Sequence, residues 1–383
     1  MAIHIVSSRA PLPAKKGDQI VLSKRLEAIR DRHDVTVYII SASDEEIERA
    51  TVAFPNLKFV RLVRNFSDFL SGFLYSIIHG FPLHYAIFWN RSMNQVIQRL
   101  GSTDKVCFVL ERTCCYDLNP KCSYFLEGID FTYQNFMLRA QASNFWKSVF
   151  YRFEARRVLR SFSRMVKRFD TISFVSRYDL IDAGVSVPEN VVVTPNGVPE
   201  SHLPPRSFSS LEPTFCFHGN FNYLPNLKVL DALGYIWPKI TENIPCAKLT
   251  IFGRHLDPNH PVFKLGGVQC LFEVDDVMHV LRAQNFYLCP MNFGTGIQNK
   301  LLEAIACENI LIASDKVIRP FEVDNFQYIS LDNPNWVKVV ESILLSNDHL
   351  YREKDNAAKV LDKLTWTNSN SEFLSWVERE VGE

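Results

Sequence analysis

The sequence has no net charge: lysine plus arginine total 42, and aspartate plus glutamate also total 42. A chain built mainly to hold nucleic acid carries a basic excess, so an RNA-binding role is disfavoured and only local contacts with single strands stay open. Nine cysteines stand at 107, 114, 115, 122, 216, 246, 270, 289 and 307, yet no Cys-x-x-Cys pair occurs among them. That excludes a zinc ribbon and a thioredoxin-type motif. Their number is odd and most sit in apolar runs, where a thiol behaves as a small hydrophobe. A reducing, cytoplasmic setting is therefore expected. A basic leader with a long apolar core is missing too; "MAIHIVSSRAPLP" reads as a first buried strand. Residues 69–90, "FLSGFLYSIIHGFPLHYAIFWN", have no Asp, Glu, Lys or Arg, but His79, Pro82, His84 and two glycines interrupt them, which reads against a membrane span. There is no internal repeat and no low-complexity block.

What is present fits two domains: 383 residues, 47% of them apolar. Strand and helix patterns alternate. "AIHIVSS", "DVTVYIIS", "KVCFVLE", "TISFVS" and "NVVVTPNGV" are strand-like; "GDQIVLSKRLEAIRDR" is spaced as a helix. Such alternation predicts mostly parallel sheets covered by helices, an α/β class. Residues 199–213, "PESHLPPRSFSSLEP", are rich in Pro and Ser and read as a linker between a domain at 1–198 and another at 214–365. The second repeats the pattern with "TFCFHGN", "NLKVLDALGYIWPKI", "KLTIFG", "VQCLFEV", "NFYLCP" and "NILIAS". The tail from about 335 is helical, and for its last segment, 366–383, packing back on the first domain is one arrangement.

The chemistry concentrates in residues 293–304, "FGTGIQNKLLEA". In a doubly wound sheet, ligands lie at the carboxyl ends of strands. Here the strand "NFYLCP" runs through a loop into the helix "QNKLLEAIAC", whose first amides and dipole attract phosphate. Gly294 and Gly296 let backbone approach an anion. Lys300 adds a cation on the first turn, and Glu303 lies one turn on, on the same face. Phosphate and carboxylate repel, so a ligand serving both has two ends: a diphosphate for the lysine, vicinal hydroxyls for the glutamate. A nucleotide has both. The plain alternative is an exposed helical Lys–Glu pair.

These residues resemble the donor segment of family 4 glycosyltransferases, closest to a subgroup with a G-x-Q-N-K-x-L-E-A core. "FHGNFNYLPNLKVL", "VVVTPNGVP", "PLPAKKGDQIVLSKRLEAI" and "FYRFEARRVLRSFSRMVKRFDTISFVSRYD" are similar, in order, to other segments of that group, from about residue 9 to 314. The resemblance implies a GT-B fold, two Rossmann-like domains facing a cleft, the second holding a nucleotide-diphosphate sugar and the first a glycan or lipid-linked acceptor. It implies hexosyl-type transfer with retention, without a metal or other cofactor, in surface polysaccharide or glycolipid assembly. By position, Lys300 would meet the diphosphate and Glu303 the ribose. Gly17 and Asp18 would present amides from the first domain, and Gly219 and Asn220 would face them. Thr295, Gly296, Ile297, Gln298 and Asn299 complete the donor loop.

The sequence departs from that pattern in places. The first of the family's two spaced glutamates is replaced by Thr295, and the loop "GNFNYLPN" has no cation. Phosphate neutralisation then rests on Lys300, with Arg254 in "IFGRH" either a helper or a solvated loop residue. Asn309 is expected to take the left-handed cap after the donor helix. Residues 111–134 read as loop-like acceptor territory containing Glu111, Arg112, Tyr116, Glu127 and Asp130; Arg112 and Asp130 are the candidates taken from it, Asp130 to orient an acceptor. His218, before Gly219, is a donor-sugar contact or simply structural. Residues 152–168 are basic and aromatic, suited either to the inner face of an anionic membrane or to covering a sheet with one side in water. Two rivals share the fold: a sugar-nucleotide epimerase and a non-catalytic glycan-binding module.

Overall fold

The computed structural model describes residues 2–198, 212–292, 294–324, 326–346 and 358–379. Most of the linker segment 199–213, and Phe293 of the donor loop, lie outside the described residues. The chain forms two compact units, Met1–Pro195 with Trp366–Glu383, and Asn196–Thr365.

In the first unit, strands β1 (Ala2–Ser7), β2 (Asp34–Ile39), β3 (Lys58–Arg61), β4 (Lys105–Val109), β5 (Ser123–Ile129), β6 (Thr171–Phe174) and β7 (Val191–Val193) make one sheet in the order β3-β2-β1-β4-β5-β6-β7. All pairings are parallel. The central strands are apolar without alternation because helices cover both faces; every residue of β4 is buried. The connecting helices are α1 (Gly17–Ile29), α2 (Asp44–Ala53), α3 (Phe66–His79), α4 (Arg91–Arg99), α5 (Thr132–Gln141), α6 (Phe145–Met165) and α7 (Tyr178–Ile181). The sheet changes winding direction between β1 and β4, where ligands gather in such folds.

The second unit repeats the plan with β8 (Thr214–Asn220), β9 (Lys248–Arg254), β10 (Val268–Phe272), β11 (Phe286–Cys289), β12 (Ile310–Ala313) and β13 (Ile329–Ser330), ordered β10-β9-β8-β11-β12-β13. Its helices include α8 (Leu224–Asn243), α9 (Val277–Arg282), α10 (Asn299–Ala306), α11 (Asp315–Ile318) and α12 (Trp336–Leu345). The winding switch falls between β8 and β11.

A last helix, Trp366–Glu378, belongs to the first unit. Phe373, Trp376 and Val377 enter the same core as Ile3, Ile5 and Phe125. Two buried cations fasten it. Lys105 Nζ donates to the carbonyls of Trp376 (2.5 Å), Val377 (2.9 Å) and Arg379, filling the orphan acceptors at the helix end. Arg25 donates to Ser369 O (2.6 Å), to Asn370 Oδ1 (2.6 Å) and to Glu127 Oε2 (2.7 Å).

Two expectations are corrected. Residues 111–134 are not all loop: β5 occupies Ser123–Ile129, and within it Glu127 is a core residue paired to Arg25, not an acceptor ligand. After α10, the left-handed residue is Glu308 (φ 58°), not Asn309. Asn309 instead donates its Nδ2 to Leu281 O (2.9 Å) and Gln284 O (2.6 Å), a buried task that fixes its side chain. Among the described residues no helix is long and apolar enough to cross a membrane; within 69–90, α3 stops at Gly80 (φ 65°), and a 3-10 turn follows at Leu83–Phe88.

Candidate functional site

The donor candidates of the second unit cluster at the carboxyl ends of β8, β9 and β11. Strand β8 ends in His218, Gly219 and Asn220, alongside Phe252, Gly253 and Arg254 of β9. Backbones meet closely there. A Cβ at Gly253, whose φ is +135°, would stand 2.0 Å from Gly219 O. A Cβ at Gly219 would lie 2.7 Å from Asn226 Nδ2. Asn226, buried in the first turn of α8, donates that Nδ2 to Asn220 O (2.8 Å) and turns its Oδ1 to the ammonium of Lys300. Lys300 also lies over the Phe217 ring, 5.0 Å from its centroid. Burial lowers its pKa from the usual lysine range to about 8, against the opposing pull of Cys289 and Glu303. This is a largely desolvated cation on the first turn of α10, with the N-cap at Gln298.

The loop before α10 uses its glycines as the sequence suggests: Gly294 has φ +132° and Gly296 φ +63°. Thr295 and Ile297 are buried. Gln298 Nε2 donates to Thr295 O (3.0 Å), and Asn299 Oδ1 accepts from Asn196 Nδ2 (2.7 Å). Glu303 is one turn along, its Oε2 2.7 Å from His218 Nε2. A carboxylate only accepts, so Nε2 carries the proton. In the neutral ring Nδ1 is then the acceptor, facing the buried Tyr287 hydroxyl at 3.1 Å. The ring also stacks on Phe252, 5.1 Å between centroids. A relay Tyr287–His218–Glu303 thus orients the carboxylate. His218 is drawn into the site as the partner of Glu303; Tyr287, in the middle of an apolar strand, gave no signal in the sequence. Arg254 is exposed at the end of β9, beside Asn220, and its carbonyl accepts from Phe221 N–H (2.9 Å).

In the first unit, the loops after β1 and β4 meet at the winding switch. Arg112 Nη2 donates to Ser8 Oγ (3.1 Å), and its guanidinium lies over the Phe88 ring at 4.8 Å. Asp18, in the first turn of α1, accepts from Arg9 at 2.6 Å and stands 3.5 Å from Arg112. Its carboxylate therefore holds two guanidiniums; the groups of Asp18 and Gly17 left for a ligand are backbone amides. A Cβ on Gly17 would meet nothing within 4 Å. Beside these residues is a cavity of about 460 Å³, reached by Arg9, Lys15, Lys16, Glu46, Phe88 and Arg112. Asp130 is half-buried just past the end of β5. Glu111 and Tyr116 are structural: the Glu111 carboxyl, pushed up to about 7 by burial, accepts from Tyr85 (3.2 Å), and Tyr116 donates to Phe88 O (2.9 Å).

Residues 212–331, which carry the candidate cluster around Lys300 and Glu303, match the family model of the glycosyl transferases group 1. The fold is GT-B. Solved structures of that fold superpose along nearly the whole chain. A variant of S. aureus TarM in complex with Fondaparinux, alpha-GlcNAc-glycerol and UDP has a TM-score of 0.65 at 10% identity, covering 99% of this chain and 100% of its own. Anabaena HepE in complex with UDP has a TM-score of 0.61 at 12% identity, covering 98% and 99%. The N-terminal domain of Candida albicans trehalose-6-phosphate phosphatase has a TM-score of 0.64 at 12% identity, covering 98% and 96%. At these identities the likeness is one of fold. No curated protein matches the chain by sequence.

Proposed function

We propose that the protein is a family 4 glycosyltransferase that moves a hexosyl group from a nucleotide-diphosphate sugar to a glycan or lipid-linked glycan, with retention and without a metal. The observation that carries this is the buried Lys300 ammonium at the start of α10, held by Asn226, with the His218-oriented Glu303 carboxylate one turn away. In this reading the bond between the anomeric carbon and the diphosphate oxygen breaks, and charge develops on the diphosphate. Lys300 and the first amides of α10 stabilise that charge before it appears, so little reorganisation is needed. Glu303 accepts from the ribose hydroxyls. The acceptor hydroxyl attacks on the side the diphosphate leaves, and its proton passes to the departing oxygen, which removes the need for a separate base. Arg112 and Asp130 orient the acceptor. The UDP named with TarM and HepE supports a nucleotide donor.

The test is a thermal-shift panel of UDP-, GDP-, ADP- and CMP-sugars. A ligand bound only by the folded state at a hundredfold its dissociation constant adds about 2.7 kcal/mol. One donor is expected to raise Tm in the wild type, and Lys300→Met to abolish the rise while leaving the unliganded Tm equal or higher, because a buried charge is removed. Equal shifts in both proteins would refute the assignment. Release of free sugar or a 2-epimer from donor alone would instead identify the epimerase, and donor binding without turnover on any acceptor the binding module.

A further inference from the structure

Helix α3 is built inside out. The residues it buries are Asp68, Gly72 and Ser76, spaced four apart on one face. Gly72 is there because the neighbouring chain comes close: a Cβ would lie 2.6 Å from Trp89 Cβ and 2.8 Å from Ala86 O. Asp68, its only Asp, Glu, Lys or Arg, is consumed in a capping box with Asn65 and accepts from Arg91 N–H (3.1 Å). The opposite face shows water Phe66, Phe69, Leu70, Phe73, Ile77 and Ile78, with Phe66 79% and Ile78 75% exposed. Single exposed apolar residues are ordinary; an unbroken stripe of large ones marks an interaction surface.

Helix α6 continues this surface. Arg157 donates to Ser76 O (2.7 Å), and Arg164 to His79 O and Gly80 O (2.9 Å for the latter), which ties α6 to the end of α3. The first half of α6 exposes Phe145, Trp146, Val149, Phe150 and Phe153. Among and beyond these, α6 exposes Arg152, Arg156 and Arg160, and then Lys167 follows. From Phe145 to Arg168 there are eight cations and one acid, Glu154, and Glu154 is buried. Apolar side chains thus adjoin a belt of cations with no exposed acid among them.

We propose that α3 and the first half of α6 seat the first unit on an anionic membrane surface. The 14 residues of α3 extend only about 21 Å, too short for a bilayer core of roughly 30 Å, so the helix lies in the plane of the interface. Its Phe, Leu and Ile side chains enter the boundary between headgroups and acyl chains, Trp146 sits at headgroup level, and Arg152, Arg156 and Arg160 meet lipid phosphates. The charge chooses lipid over a protein partner: the arginines need anionic groups spread over an area, which headgroups supply at any register. This surface is independent of the donor site and stands whether or not the transferase reading does.

The full chain is sedimented with sucrose-loaded vesicles of phosphatidylcholine alone and with vesicles of phosphatidylcholine mixed with phosphatidylglycerol, whose anionic headgroups attract polybasic segments. Binding at least tenfold tighter to the anionic vesicles is expected, with a blue shift of tryptophan fluorescence that Trp146→Ser removes. Leu70→Ser with Ile77→Ser, both water-facing, is expected to weaken binding tenfold or more without changing Tm. Arg152→Glu with Arg156→Glu is expected to do the same. Three results overturn the proposal: no pelleting with anionic vesicles, equal pelleting with neutral ones, or self-association in solution that the Leu70 and Ile77 substitutions abolish, which would make a second copy the occupant.

Discussion

At the scale of single residues, the proposed donor site depends on Lys300 being dry. Its pKa is lowered to about 8, so the free protein loses the ammonium as pH rises through that value. An unfolded lysine keeps its proton to about 10.4, so the unfolded chain binds more protons between about 8 and 10.4 and unliganded stability gains with pH in that window. Donor binding runs the other way, because the diphosphate needs the charge. Donor affinity is expected to fall towards tenfold per pH unit above about 8, with proton uptake on binding visible by calorimetry in buffers of different ionisation enthalpy; a flat profile to pH 9.5 would remove Lys300 from the diphosphate. Gly219→Ala is the second test. Its methyl would collide with Asn226, the residue that steers Lys300. A loss of about 1–3 kcal/mol in unfolding free energy is expected from such overpacking, together with weaker donor binding than the Tm change alone explains, as measured by titration calorimetry. Lys300, Glu303 and the glycines of this loop were legible in the sequence because a loop and one helical turn hold them together. Tyr287 was not, nor was the link from Asn226 to Lys300: the two are 74 residues apart, and no local pattern joins residues so far apart.

At the scale of elements, the same limit separates what could be read from what could not. Although β3 and β13 were not read, most of the parallel strands announced themselves as short apolar runs. Strand β5 did not, because Glu127 and Gly128 break its run, and both have tertiary reasons. Glu127 neutralises Arg25, and a Cβ on Gly128 would stand 2.5 Å from Phe174. Helix α3 departs from the usual amphipathic pattern: its apolar stripe faces water while Asp68, Gly72 and Ser76 pack inward. The Arg25–Glu127 pair yields a sharp prediction. Removing one partner of a buried pair leaves the other uncompensated, so Arg25→Leu is expected to cost about 3–5 kcal/mol, read by urea unfolding. Arg25→Leu combined with Glu127→Leu is expected to cost less than the single change, and a larger loss would show that the pair is not coupled. Arg25 also holds Ser369 and Asn370, so faster amide exchange across the helix Trp366–Glu378 is expected in both variants.

At the scale of the molecule, each unit has its own parallel sheet and its own hydrophobic core. The second unit's core is drawn entirely from residues between Val198 and Leu364. A nucleotide sugar held by Lys300 and Glu303 should therefore act chiefly on that unit. In differential scanning calorimetry the transition assigned to Asn196–Thr365 is expected to move up with donor, and deletion of 366–383 to lower only the other transition. A deletion that lowered both equally would show that the units melt as one.

The helix Trp366–Glu378 has one more consequence, for biosynthesis. It is translated after the whole of the second unit, yet Trp376 and Phe373 fill the core beneath β1 and β5. On the ribosome the first unit emerges early and must wait, that core lacking Phe373, Trp376 and Val377, until codons 366–378 have been read. The second unit, contiguous in sequence, completes its interior while that wait continues.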